Sequence, residues 1–283
     1  MSSDLSPKLA CADFSFPLLS HDHSLDLIAR LGMGGVDIGL FPDRSHFQPR
    51  DYEGKVAVAA RELSARVRDR GLEFADIFLQ PSSSLDEMAP NHPDASERER
   101  WRKRFAEGLE LTVLCEATHM TSLPGIQFDG ESVEDSMGRS SDELAQCVEQ
   151  AREAGVVFSV EPHMWSMATT TELASRLVEM TDGLTLTLDY GHYIVQGEEN
   201  AAIEPLVKYA SHFHARSASK GFLQTSLANN SINFAGAVKA MKACSYQGWL
   251  GVEYVRMTED VVPDVDNLSE TILMRDHLRD AWG

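Results

Sequence analysis

Four side chains in the second half of this 283-residue chain, Glu161, Asp189, His214 and Glu253, are of types that bind hard divalent cations. Each closes a short apolar run: FSVEPH, LTLTLDYGH, SHFHAR and LGVEYV. Their spacings are 28 (189 − 161), 25 (214 − 189) and 39 (253 − 214) residues, intervals that fit a strand, a loop, a helix and a return loop. Ligands at the carboxyl ends of four consecutive parallel strands converge on one point at the top of a barrel. Three acids and one imidazole suit Mn²⁺ first, with Mg²⁺, Co²⁺ or Zn²⁺ as alternatives, and argue against a structural zinc. A cation held this way can engage two neighbouring oxygens of a hydroxy-ketone, acidify the adjoining C–H and stabilise the enediolate. The reaction then needs a base on one face and an acid on the other, and Glu161 and Glu253 can supply both. The competing explanation for each acid is an ion pair with arginine, because an unpaired buried carboxylate is costly.

Further residues cluster near these. His212 and His214 are two apart on one strand and face the same side. His214, nearer the carboxyl end, is the expected ligand; His212 lies deeper, as a core group or a support for the ligands. His163 follows Glu161 and His192 follows Asp189, each placed to meet a substrate hydroxyl or to stand exposed in a loop. His119, in ATHMTSLPG, is expected at the mouth as a candidate general base. Arg216 and Lys220 are candidates for holding an anionic or hydroxyl group. Trp165, Phe14 and Phe16 could wall a sugar ring or simply pack in the core.

The elements that must position these residues are legible as apolar runs at 9–16, 35–41, 72–80, 118–123, 156–161, 184–189, 212–215 and 249–255. Runs apolar at nearly every position suit strands buried on both faces of a parallel sheet. Helical patterns lie between them, with start signals at Ser24, Ser96/Glu99, Ser140/Glu143 and Thr169/Glu172. AREAG and RLGMGG end helices on glycine, and Asn267–Trp282 reads as a closing helix. The polar stretches 81–94 and 127–141 follow strands three and four, where they either overlie the mouth or serve as plain solvated loops. The pattern predicts one (β/α)8 barrel over residues 1–283. A doubly wound open sheet is the alternative, but ACADFSFPLLSHDHS has no glycine-rich phosphate loop.

Composition sets outer bounds. The net charge of −19, from 25 basic and 44 acidic residues, repels phosphate backbones and excludes nucleic acid as an expected partner. No apolar stretch spans a bilayer, and MSSDLSPKLACADF lacks a signal-peptide pattern, so a cytoplasmic location is expected. Cys11, Cys115, Cys147 and Cys244 form no CxxC pair and read as free thiols.

The motifs VEPH, LTLDYGHYIVQG, SHFHAR…LQTSLANNSINFAGAVKAM and YQGWLGVEYV, in this order, resemble the xylose isomerase-like barrels of the sugar phosphate isomerase/epimerase group. That group includes hydroxypyruvate isomerase, ketose 3-epimerases, inosose dehydratase and endonuclease IV. The resemblance implies one divalent metal on Glu161, Asp189, His214 and Glu253, with Glu161 and Glu253 as the acid/base pair of isomerising members. It implies a small sugar substrate and a homo-oligomer. The strand-seven HxQ pattern of hydroxypyruvate isomerases supports His214 over His212. Two departures leave the substrate open: NSINF stands where GEI(N/D)F is usual, and Lys220 stands where ketose epimerases carry arginine. The histidine-rich motifs of endonuclease IV are missing. FHARSASKGFLQTSL with LDYGHYIVQG also resembles the large subunits of C-glycoside deglycosidases, metal-dependent lyases of 3-keto-glycosides that pair with a small partner subunit, so a lyase of a 3-keto-C-glycoside, or a keto-acid decarboxylase, is the alternative to an isomerase. A third reading is a barrel that retains the metal but has become a binding protein.

Overall fold

A computed structural model describes residues 6–283. Met1–Leu5, part of the N-terminal stretch read above, lie outside the described residues. Eight strands close into a barrel in sequence order: β1 (Leu9–Ala12), β2 (Gly35–Leu40), β3 (Glu73–Leu79), β4 (His119–Ser122), β5 (Val157–Val160), β6 (Thr185–Asp189), β7 (Ala210–Ala215) and β8 (Leu250–Val252). All eight pairings are parallel, and β1 pairs with both β2 and β8. The expected (β/α)8 architecture is the one observed.

The helices lie outside: α1 (His21–Arg30), α2 (Val56–Arg68), α3 (Ala95–Leu114), α4 (Val133–Glu153), α5 (Thr171–Met180), α6 (Phe234–Ala243) and α7 (Asn267–Trp282). Their apolar stripes cover outward strand residues such as Val36, Ile38, Leu79, Phe158, Leu188 and Phe213, all buried in one cluster. The closing helix has the bounds expected. Between β6 and β7 no long helix forms. Two single turns, Gly191–Ile194 and Asn200–Ile203, and a 3-10 stretch, Glu204–Tyr209, take its place. Gly197 at φ 92° ends the first turn, and Pro205 at the start of the 3-10 stretch removes a backbone donor.

Several expected boundaries shift. The first strand stops at Ala12 because a 3-10 turn, Asp13–Ser15, follows it. Ser20, not Ser24, caps α1; Ser24 sits inside the helix and donates from its hydroxyl to the Asp13 carbonyl at 2.8 Å. Asp94 rather than Ser96 caps α3, and Thr170 rather than Thr169 caps α5. Ser140 and Glu143 lie within α4, which Ser132 caps, so the second polar stretch is mostly helix. Glycine closes α4 as expected, with Gly155 at φ 75°.

The barrel interior is polar to an extent the apolar runs did not announce. Thr121, Ser159 and Thr187 form a buried hydroxyl triangle with sides of 2.6, 2.6 and 3.0 Å. Asp37, Asp76, His119 and His212 line the same interior, all of them buried. Along β7, Phe213 faces the helices while His212 and His214 face inward, the period-two alternation of a strand.

Candidate metal centre and active-site cavity

Glu161 and Glu253 each stand one residue beyond β5 and β8, Asp189 ends β6, and His214 is the penultimate residue of β7. The strand ends therefore bring all four predicted ligands to the carboxyl-terminal mouth, and each is at most 5% exposed. His214 Nδ1 lies 2.6 Å from Glu161 Oε1 and 3.6 Å from Glu253 Oε2. Donor atoms of Glu161, His214 and Glu253 lie within 4.8 Å of one another, as do those of Glu161, Asp189 and His192. His192, read from sequence as a substrate contact, thus also stands among the candidate ligands. A third grouping, Asp37, His212 and His214, is one layer deeper.

Arg216 enters the same cluster. Its Nη2 donates to Asp189 Oδ2 at 2.6 Å, lies 3.5 Å from Glu253 Oε2, and reaches His192 Nε2 at 3.0 Å. Gly191 N–H donates to the other Asp189 oxygen at 2.7 Å. A side chain at Gly191 would meet that oxygen at 3.0 Å, tighter than an ordinary contact.

The electrostatics follow from three buried acids facing two cations. Burial raises Asp189 despite the pull of Arg216. Burial also pushes Glu253 up to about 7, against the lowering effect of Arg216 and His214. Glu161 ends below its ordinary value: burial opposes its charge, but the His214 ring beside it prevails. Burial would lower His214, yet Glu253 and Glu161 raise it to about 10. His163 is lowered to about 4 by burial, which Glu161 only partly offsets, and His192 is driven well below its ordinary value by burial and Arg216.

Above the cluster opens a cavity of about 420 Å³ whose floor includes Glu161, His163, His192, Arg216 and Glu253. Phe14, Phe41, Phe78, Leu123, Val255 and Met257 give it apolar walls. Trp165 also lines it, whereas Phe16 packs in the core. Ser83 and Leu85 of the loop after β3 face the cavity, and Asn91 ties that loop down through Ile126 O at 2.6 Å and Ser136 Oγ at 2.7 Å. His163 Nδ1 accepts from the Trp165 N–H at 3.2 Å, and its Nε2 is buried without a partner.

Two expectations are corrected here. His119 opens β4 at the end opposite the mouth; Nδ1 bonds Asp76 at 2.7 Å and Nε2 bonds Ser211 at 2.8 Å. Both ring nitrogens are engaged within the barrel floor, and His119 is not among the cavity-lining residues. Lys220 is exposed, lies over Gly197 and does not line the cavity, because a turn at 219–222 carries it away. Sequence reasoning missed Arg44, which lines the cavity, stacks on Phe41 at 5.4 Å and donates to Gln80. Its position just after strand two, in FPDRSH, was the available signal. It also missed Asp37 and Asp76, although an acid inside each of the runs GVDIGL and EFADIFL was as informative as Glu161.

The family described as xylose isomerase-like TIM barrel matches residues 25–278. Among solved structures, L-ribulose 3-epimerase superposes with a TM-score of 0.76 at 18% identity, covering 97% of this chain and 95% of the other. D-psicose 3-epimerase from Clostridium cellulolyticum H10, solved with D-tagatose, gives 0.77 at 16% identity, covering 97% and 99%. A sugar phosphate isomerase/epimerase from Parabacteroides distasonis gives 0.69 at 15% identity, covering 99% and 96%. No curated protein matches the chain by sequence. No helix among the described residues is long and apolar enough to cross a membrane.

Proposed function

The chain belongs to the xylose isomerase-like TIM barrel family, and from that premise we propose that it is a divalent-metal-dependent isomerase or epimerase of a keto-sugar or related hydroxy-carbonyl compound. The observation that carries the reading is that Glu161 and Glu253, which share His214, both reach the floor of one cavity. In the metal-free site their environments differ: burial opposes the charge of Glu161 but the His214 ring holds it below its ordinary value, whereas burial pushes Glu253 up to about 7, and metal binding would displace that proton. Two carboxyls at the floor of one cavity can serve as the base and the acid of such a reaction. Glu161 then takes the proton next to the carbonyl, and Glu253 returns one to the other face or the neighbouring carbon.

The donor set fits a metal. Glu253 Oε2 is buried and accepts no hydrogen bond, and three acids with one histidine match Mn²⁺, with Mg²⁺, Co²⁺ or Zn²⁺ as alternatives. Glu161, Asp189, His214 and Glu253 would hold it, and when bound it would polarise the substrate carbonyl and spread the enediolate charge. His163, His192 and Arg216 have polar atoms at the floor where substrate oxygens would lie.

One observation favours a second reading, carbon–carbon cleavage of a 3-keto-C-glycoside by the same proton removal. The cavity, at about 420 Å³, falls in the range of roughly 300–1,000 Å³ that holds drug-sized ligands, so it has room for an aglycone, and much of its wall is aromatic or aliphatic. The test is incubation of the Mn²⁺-loaded protein in D₂O with D-psicose, D-tagatose and D-fructose, and separately with a 3-keto-C-glycoside, followed by proton NMR. Loss of the C–H signal next to the carbonyl with appearance of an epimer supports the proposal, and Glu253→Gln should abolish it. Release of an aglycone without epimer formation moves the assignment to the lyase. Metal binding with no solvent exchange in any substrate leaves a binding protein.

A further inference from the structure

Beneath the candidate ligands is a carboxylate that neither the sequence nor the proposed reaction used. Asp37, on β2, is fully buried. Its Oδ2 bonds His212 Nε2 at 3.2 Å and lies 3.8 Å from His214 Nε2. His214 Nε2 has no hydrogen-bond partner, and neither has Asp37 Oδ1. The other ring nitrogen, His214 Nδ1, hydrogen-bonds Glu161 Oε1 at 2.6 Å and lies 3.6 Å from Glu253 Oε2, so a metal bound at Nδ1 would take the place of the proton donated there. The surrounding backbone is arranged around this acid. The β2–β3 register shifts beside Asp37, where Ala75 is an extra residue on β3, so Asp37 pairs with Asp76. Across the interior, a Cβ on Gly251 would come within 2.0 Å of Asp37 Oδ2 and 3.1 Å of His212 Nε2. Only glycine at that position leaves the carboxylate its place.

We propose that Asp37 is the positioning residue of the metal centre, fixing the His214 ring so that Nε2 carries its proton toward Asp37 and Nδ1 presents its lone pair to the metal. A neutral imidazole has one donor and one acceptor nitrogen, and a carboxylate beside one of them decides which is which. His212 serves as the second anchor of the same carboxylate, which explains why two inward histidines occur on β7 with one of them below the site. The inference rests on the metal site proposed above, and its test separates the two.

The test is calorimetric titration of the full chain with Mn²⁺ alone, for wild type, Asp37→Asn, His212→Asn and the double variant. A supporting residue of this kind is worth ~10–100-fold in metal affinity. Asp37→Asn should therefore lose about that factor, His212→Asn should lose less than about threefold, and the double variant should match Asp37→Asn. The visible spectrum of the Co²⁺-loaded protein should shift in Asp37→Asn at saturation, which a merely structural loss would not produce. In the wild type, nitrogen NMR of the Zn²⁺-loaded chain should find the His214 proton on Nε2; this measurement does not depend on any variant folding. A proton on Nδ1, wild-type affinity in Asp37→Asn, or an equal loss in His212→Asn would each overturn the role of Asp37 while leaving the metal site intact. A wild-type chain that binds no Mn²⁺ would overturn the metal site itself and this inference with it.

Discussion

Replacing Arg216 by methionine removes the guanidinium that faces Asp189 and Glu253. The structure sets the scale of the loss. Arg216 is 3% exposed and Asp189 1%, with Nη2 at 2.6 Å from Asp189 Oδ2 and 3.5 Å from Glu253 Oε2. At an effective dielectric of about 20, the two contacts amount to roughly 6 and 5 kcal/mol of gross attraction, much of it offset by the several kcal/mol needed to desolvate the cation. Breaking a buried pair from one side costs about 3–5 kcal/mol. An independent ceiling comes from protonation. Without its cation, Asp189 escapes the penalty by taking up a proton, which for a carboxyl of unfolded pKa about 3.9 costs about 4 kcal/mol at pH 7 and about 1.5 kcal/mol at pH 5. The sign is fixed by linkage: in the variant the folded-state pKa of Asp189 lies above the unfolded value, the folded state binds the extra proton, and the penalty shrinks as pH falls. Urea unfolding with chelator present, for both proteins at both pH values, reads these numbers directly. A loss under about 1 kcal/mol at pH 7, or one that is the same at pH 5, would refute the claim that Arg216 neutralises this cluster.

Three other outcomes are expected. Elemental analysis should find about one metal per wild-type chain and little in Asp189→Ala or His214→Asn, since the ligands act together; retention in either variant would remove that residue from the site. Gly251→Ala should cost ~1–3 kcal/mol from overpacking against Asp37 Oδ2 at 2.0 Å, read as a drop of several degrees in Tm, and an unchanged Tm would mean that the carboxylate has room to move. Asp76 is held at about 2: burial opposes its charge, but His119 outweighs it. Its contribution is therefore complete above the unfolded value of about 3.9 and is lost as pH falls toward 2, so Asp76→Asn should flatten the acid limb of a stability–pH curve, and an unaltered limb would contradict the pairing.

The sequence alone determined the barrel and where the four candidate ligands stand in it, because both depend on local pattern. Runs buried on two faces alternate with amphipathic stretches. Glu161, Asp189, His214 and Glu253 stand where those runs end, so the architecture by itself carries them to one mouth. The closing helix and the αL glycine after α4 followed equally from local chemistry. What only the tertiary structure decided were relations across the barrel. His119 occupies the same kind of apolar run as His214, and only the register of β4 shows that it opens its strand and pairs with Asp76 at the floor. Arg216 and Lys220 are four residues apart and similar in charge, yet one closes the acid cluster and the other is carried out by a turn. Asp37 and His214 are far apart in the sequence, and they approach to 3.8 Å across the barrel, over Gly251, whose missing side chain leaves the carboxylate its space. A strand's alternation tells which residues face inward; which of them meet depends on the stagger of eight strands, and no single strand encodes that.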